Sequence, residues 1–294
     1  MGPTPPATGR TGLTLIETLV AVAIVAVLMG LVLPAIQQVR AAAARTRCAN
    51  NLRQIGLAHH QYHQAHGVLP PGNSYRNGKS PQPHMSWCTR LLPYLEQDAL
   101  WQNALAAFTQ DRDFRNDPPH LGVKTVLPVF LCPADSRTVG RTAALLAYLG
   151  VEGKHQNQLD GVLFIDSAVP FADIRDGLSS TLLVGERPPS AEMDFGWWYG
   201  GSGMENVGTG DHTLGVRAHA AGRIGVAACD FGPYYFVPGR LTNQCDLLHF
   251  WSVHPGGAFF AFCDGSVRFL AYSADAVMPA LASRSGGEAI AAPE

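Results

Sequence analysis

Lysine is nearly absent from this chain: Lys79, Lys124 and Lys154 are the only three in 294 residues. With 21 basic against 23 acidic residues the formal net charge is -2, so there is no broad positive field for a polyanion. No nucleic-acid partner is expected, and Arg40, Arg45, Arg47 and Arg53, spaced along one expected helix, read as a solvated face. The six cysteines (Cys48, Cys88, Cys132, Cys229, Cys245, Cys263) include no CxxC pair, which argues against a zinc ribbon or a thioredoxin-type site. In an exported body they allow fifteen disulfide pairings, and the spacing selects none; buried free thiols fit some of them as well. HExxH, GxSxG, a Walker loop and GxGxxG are also missing. No residue is therefore assigned to catalysis, and neither cofactor nor metal is expected.

What the chain does have is one long apolar run. From Leu13 to Leu33 only Thr14, Glu17 and Thr18 are polar, and ~20 apolar residues at 1.5 Å rise span a bilayer core of ~30 Å. A cleaved secretory signal needs a basic leader, a shorter apolar core and a small-x-small site, which LVLPAIQQVR does not supply. Helical character continues beyond Pro34, which kinks a helix without ending it, with no turn signal before Gly67. Cys48, Leu52, Ile55, His59, Tyr62 and His66 recur at steps of 4 and 3, forming one packing face. A helix over 13–66 would be ~80 Å long, with residues 13–33 crossing the membrane and 34–66 forming an amphipathic spine.

Gly12-Leu13-Thr14-Leu15-Ile16-Glu17, after a polar leader with one arginine and before the apolar run, resembles the cleavage and methylation motif of type IV prepilins and type II secretion pseudopilins. The resemblance implies that a membrane prepilin peptidase and methyltransferase cuts after Gly12 and methylates Leu13, where the family usually has phenylalanine. It makes Glu17 the fifth mature residue and puts Pro34 where pilins often kink, which marks both as assembly positions. RCANNLRQIGLAHHQYHQAHGVLPPG, WCTRLLPYLEQ, VFLCPAD, IRDGLSSTLLVGERPP and HFWSVHPGGAFFAFCDGSVRFL resemble the DUF1559 family, typical of planctomycete-type bacteria. Members join a prepilin-like N-terminus to a body ending in a His-x9-Asp-Gly motif, here His254, Asp264 and Gly265.

Past Gly67 the apolar runs are short: VLPVFLC, ALLAYLG, GVLFIDS, STLLVGE, RIGVAAC, AFFAFC and SVRFLAY. Each is of strand length and bounded by Gly, Pro, Asp or Ser, which predicts a mostly antiparallel sheet. Residues 91–108 read as a further helix. The expected fold is α+β and pilin-like, with a long N-terminal helix packed on this sheet. The expected divisions are a leader at 1–12, the helix at 13–66 and a β-rich domain at 67–294.

Several groups in the body invite a site. His59, His60, His63 and His66 crowd one stretch, but His59 and His66 fall on the packing face and His60 and His63 off it, so no three converge for a metal. Between His254 and Asp264 lies a strand, and six residues at ~3.3 Å each hold the two ~20 Å apart. His254 then bonds locally, and Asp264 caps a tight turn. Glu186 and Asp194 could in principle make a carboxylate pair, but without a strand-end context for both that pairing is no better than chance. Gly201-Ser202-Gly203 belongs to a flexible loop. Trp197, Trp198, Tyr199, Tyr234, Tyr235 and Trp251 would serve a sugar or peptide site, although core packing is their commoner use.

The leading reading is a membrane-anchored pseudopilin-like subunit, single-pass in the cytoplasmic membrane, assembling with other pilin-like subunits. Its N-terminus is cytoplasmic before processing, and its head is periplasmic or extracellular. The arginines after the run favour the opposite topology by the positive-inside rule. They begin six residues beyond Pro34, however, and processing requires a cytoplasmic leader. A second reading is an anchored binding module for glycan or peptide, and a third, with least in its favour, is a tethered hydrolase.

Overall fold

The computed structural model describes residues 15–75, 80–155, 157–204, 208–219, 223–224 and 227–287. Gly12 and Leu13 lie outside them. The chain divides into two compact units, one ending at Ala43 and one running from Ala44. Among the described residues the first holds the start of α1 (Leu15–His66), up to Ala43. Thirteen large apolar side chains between Leu15 and Leu33 stand in the open, from Leu15 at 77% exposed to Val32 at 51%. α1 runs through Pro34 unbroken.

In the second unit α1 acquires a buried face: Cys48, Ala49, Leu52, Ile55, Gly56, Ala58 and His59. The helix ends at Gly67, whose φ of +76° suits a residue lacking Cβ and whose N–H donates to the His63 carbonyl (2.7 Å). Near the start of this buried face Asn51 donates through Nδ2 to the Leu131 carbonyl (2.9 Å). Arg45 is no idle surface charge, since its guanidinium lies 3.8 Å from the Phe269 ring centre, a cation-π contact.

The sheet has five strands in the order β3-β1-β2-β6-β7, comprising β1 (Tyr148–Gly153), β2 (Leu182–Glu186), β3 (Thr213–Gly215), β6 (Gly257–Phe262) and β7 (Val267–Ala271). β1–β2, β2–β6 and β6–β7 are antiparallel, and β1–β3 is parallel. The fold is thus α+β, a helix packed on a mixed sheet. RIGVAAC makes a separate ribbon of β4 (Arg223–Ile224) and β5 (Ala227–Ala228).

Local chemistry explains the departures from expectation. VLPVFLC buries Leu127 and Phe130 without forming a strand, because Pro128 has no N–H for a ladder and opens a 3₁₀ turn, Pro128–Phe130. GVLFIDS reaches β1 only through a few loop bonds, such as the Val162 and Leu163 N–H groups onto the Val151 carbonyl. The helix expected at 91–108 is broken at Glu96, whose φ is +59°, into a 3₁₀ turn, Leu92–Leu95, and a helix, α3 (Asp98–Gln110). β3 was hidden in a glycine-rich stretch. Two short helices, α2 (Trp87–Arg90) and α4 (Met278–Ala282), complete the core.

The four histidines divide differently from the expectation. His59 is buried, but His66 is exposed, with its ring 4.2 Å from Tyr62. His60 and His63 are half-buried, because the loop carrying Phe171 covers the flank of α1 beside the stripe. The His63 ring stacks on Phe171 at 3.8 Å, and its Nε2 accepts the Phe171 N–H (3.1 Å).

Candidate functional site

The Asp-Gly half of the C-terminal motif builds the β6–β7 turn. Asp264 Oδ1 accepts the Ser266 N–H (2.8 Å), and Gly265 adopts φ +84°, which disfavours any residue with a Cβ. The turn presses on α1 where α1 is thinnest. A methyl on Gly56 would stand only 3.7 Å from Gly265 Cα, and His60 flanks the same spot.

His254 lies before β6, at the far end from Asp264. Its backbone N–H is held by Ser252 Oγ (3.0 Å), which in turn donates to the Gly257 carbonyl (2.7 Å). So far the local expectation holds for the backbone; the ring departs from it. Nε2 lies 3.4 Å from Glu186 Oε1, at the end of β2, and 3.6 Å from Cys132 Sγ, after the Pro128–Phe130 turn. Cys132 is joined by a disulfide to Cys48 on α1, with Cα atoms 5.4 Å apart, and Cys229 is joined to Cys245. Cys88 and Cys263 are buried free thiols, and burial pushes both up from the ordinary thiol pKa.

Glu186 is the informative member. Its Oε2 accepts the Phe259 N–H (2.7 Å), and its backbone carbonyl accepts the Trp251 N–H (3.1 Å), so β6 and the segment before it fix the carboxylate. Oε1 is buried and has no hydrogen-bond partner among the described residues. One ligand atom each from Cys48, Cys132, Glu186 and His254 lies within 4.8 Å of all the others, and all four residues are buried. Two clefts flank the group. One, of about 540 Å³, is walled by Arg47, Asn51, Leu131 and Cys132; the other, of about 400 Å³, by Trp251, His254 and Tyr272.

A family model described as "Protein of unknown function (DUF1559)" matches residues 37–277. The chain belongs to the DUF1559 family. The matched span contains all four members of the cluster and both ends of the His254–Asp264 motif. No curated protein and no solved structure matches this DUF1559 chain.

The other candidate groups of the DUF1559 body disperse. Asp194 bonds Ser190 Oγ (2.6 Å) and Gln244 Nε2 (2.8 Å), a set of partners that Glu186 does not share. Trp198 and Tyr199 are core residues: Trp198 Nε1 donates to the Thr125 carbonyl (3.0 Å), and the Tyr199 hydroxyl meets His120 Nδ1 (2.7 Å). Trp251 is buried, its Nε1 donating to the Asp246 carbonyl (2.8 Å). Trp197 borders a cleft of about 470 Å³ with Asp194 and Asp211. Burial lifts the Asp211 carboxyl to about 7, against the bond from Gly203 and the Arg187 charge.

Sequence reasoning named His254 but missed Cys48, Cys132 and Glu186 as its neighbours. Two signals were present. Cys48 lies on the packing stripe of α1, and Glu186 is the lone acid closing an apolar strand, where an ionised group requires a partner.

Proposed function

We propose that this chain is a membrane-anchored, pseudopilin-like assembly subunit, structural rather than catalytic. It would be processed after Gly12 and carried by the apolar segment to Leu33 in the cytoplasmic membrane, with residues 44–294 outside the cytoplasm. One observation carries the reading: the thirteen exposed apolar side chains of α1. Each forgoes roughly 1.5–3 kcal/mol by remaining in water, so the segment requires lipid or neighbouring helices around it. The partners that follow are the prepilin peptidase and methyltransferase, and other pilin-like subunits packed through this segment.

Glu17 gives the assembly its register. Even near the edge of the span, Glu17 interrupts an apolar run that holds no lysine or arginine, and an ionisable residue in a membrane segment marks a functional contact. Cleavage after Gly12 would free the Leu13 amine four residues before Glu17, and the same amine on a neighbouring subunit would offer an intermolecular partner. Glu17→Val is expected to leave cleavage and insertion intact while abolishing multimers on crosslinking and sedimentation. Unchanged multimer yield from a correctly processed variant overturns the register role. A reporter active only outside the cytoplasm, fused after Glu294, is expected to be active; a stable but inactive fusion overturns the orientation.

A further inference from the structure

We propose that Cys48, Cys132, Glu186 and His254 form a four-coordinate site for a zinc-class divalent cation when the two cysteines are reduced. The site and the Cys48–Cys132 disulfide are then alternative states of one buried junction between α1 and the sheet.

The distances fit the ion. With Zn–S bonds of ~2.3 Å and Zn–N and Zn–O bonds of ~2.0–2.1 Å at tetrahedral angles, the ligand atoms of one site stand ~3.6 Å apart for S to N and ~3.4 Å for N to O. His254 Nε2 lies 3.6 Å from Cys132 Sγ and 3.4 Å from Glu186 Oε1. Breaking the S–S bond lets the sulfurs separate to the ~3.8 Å that two thiolates on one tetrahedral ion require. Two thiolates, one imidazole and one carboxylate are a zinc donor set. Magnesium and calcium take oxygen ligands, and the carboxylate is a poor match for copper(I).

Support for the ligands is already in place. The Phe259 N–H holds Glu186 Oε2 and leaves Oε1, buried and with no hydrogen-bond partner among the described residues, 3.4 Å from His254 Nε2. The backbone N–H of His254 is fastened by Ser252. The clefts on the Cys132 and His254 sides give an ion or a small thiol reagent a route inward. Asp264, at the other end of β6, takes no part.

Loading needs no reductant, because the newly made chain carries both cysteines as thiols. Two thiols lose their protons as two metal–sulfur bonds form, while Glu186 binds as the carboxylate and His254 through neutral Nε2. Oxidation by a disulfide-bearing protein reverses this. The two thiolates give up two electrons and form the Cys48–Cys132 bond, the oxidant's disulfide takes those electrons with two protons to become a dithiol, and the ion is released. Export into an oxidising compartment would therefore exchange the metal for a covalent bond at the same place.

The test uses the full chain in detergent, reduced anaerobically with a dithiol and desalted, with zinc sulfate or cobalt chloride as the probe. The expected results are about one zinc per chain, and with cobalt a thiolate charge-transfer band together with the visible bands of tetrahedral Co²⁺. The oxidised chain is expected to bind none. His254→Ala and Glu186→Gln should each lower zinc occupancy at least tenfold at micromolar metal, whereas Asp264→Ala leaves it unchanged. A reduced parent chain with no zinc and no thiolate band overturns the proposal, a result that depends on no variant folding. So does one zinc that His254→Ala and Glu186→Gln, folded by near-UV circular dichroism, leave in place.

Discussion

His59 sits in the core with its ring 5.0 Å from that of Trp87, and the Nδ1 proton bonds the Ile55 carbonyl at 2.8 Å. Burial drives its pKa from 6.5 to about 4, the Ile55 bond opposing and neighbouring His60 adding to the fall. Because the folded value lies below the unfolded one, the unfolded chain takes up its proton first as the pH drops. The stability held by the neutral ring is complete above about pH 6.5 and is lost progressively towards pH 4. A gap of about 2.5 units at ~1.4 kcal/mol each gives a loss on the order of 3 kcal/mol. His212, lowered to about 3 by burial, pulls the same way, while Asp211, raised to about 7, loses stability as the pH rises. The parent's total profile mixes all three, so the informative quantity is the difference between parent and His59→Leu. Urea unfolding of the full chain in detergent reads it through the tryptophans, all five of which lie beyond Ala44. Between pH 7.5 and 4.5 the parent should lose on the order of 2–3 kcal/mol relative to the variant. A difference that stays constant across that range refutes a buried neutral His59.

Two glycines that nearly touch should respond oppositely to a methyl group. Gly265→Ala forces a side chain into φ +84° and should cost about 1 kcal/mol or more in urea unfolding, whereas Gly56→Ala, with its nearest contact at 3.7 Å and a helical backbone, should gain about 0.5–1 kcal/mol. Replacing both Cys229 and Cys245 by Ala reopens a loop spanning 16 residues and should cost about 3 kcal/mol, read as a lower urea midpoint under oxidising conditions.

The helix was legible because its signals are periodic and local: an apolar run followed by a stripe at Cys48, Leu52, Ile55 and His59, all of which are buried. The turn after β6 was legible for the same reason, since Asp-Gly-Ser between two apolar runs carries its own geometry. The cluster around His254 was not. Cys48 and Cys132 are 84 residues apart, and Glu186 meets His254 only because β2 pairs with β6, a register that no local pattern specifies. The short parallel β3 escaped because three residues flanked by glycines carry too little periodicity to stand out from a loop.

In the proposed role Gly12 and Leu13 mark a processing site, and the segment behind them is an anchor used in assembly. Intact-mass analysis of the chain from membrane fractions tests it most directly. The expected mature chain begins at Leu13 and carries one added methyl group. A membrane-bound chain that still begins at Met1 or Gly2, or one cut near Pro34, would contradict it.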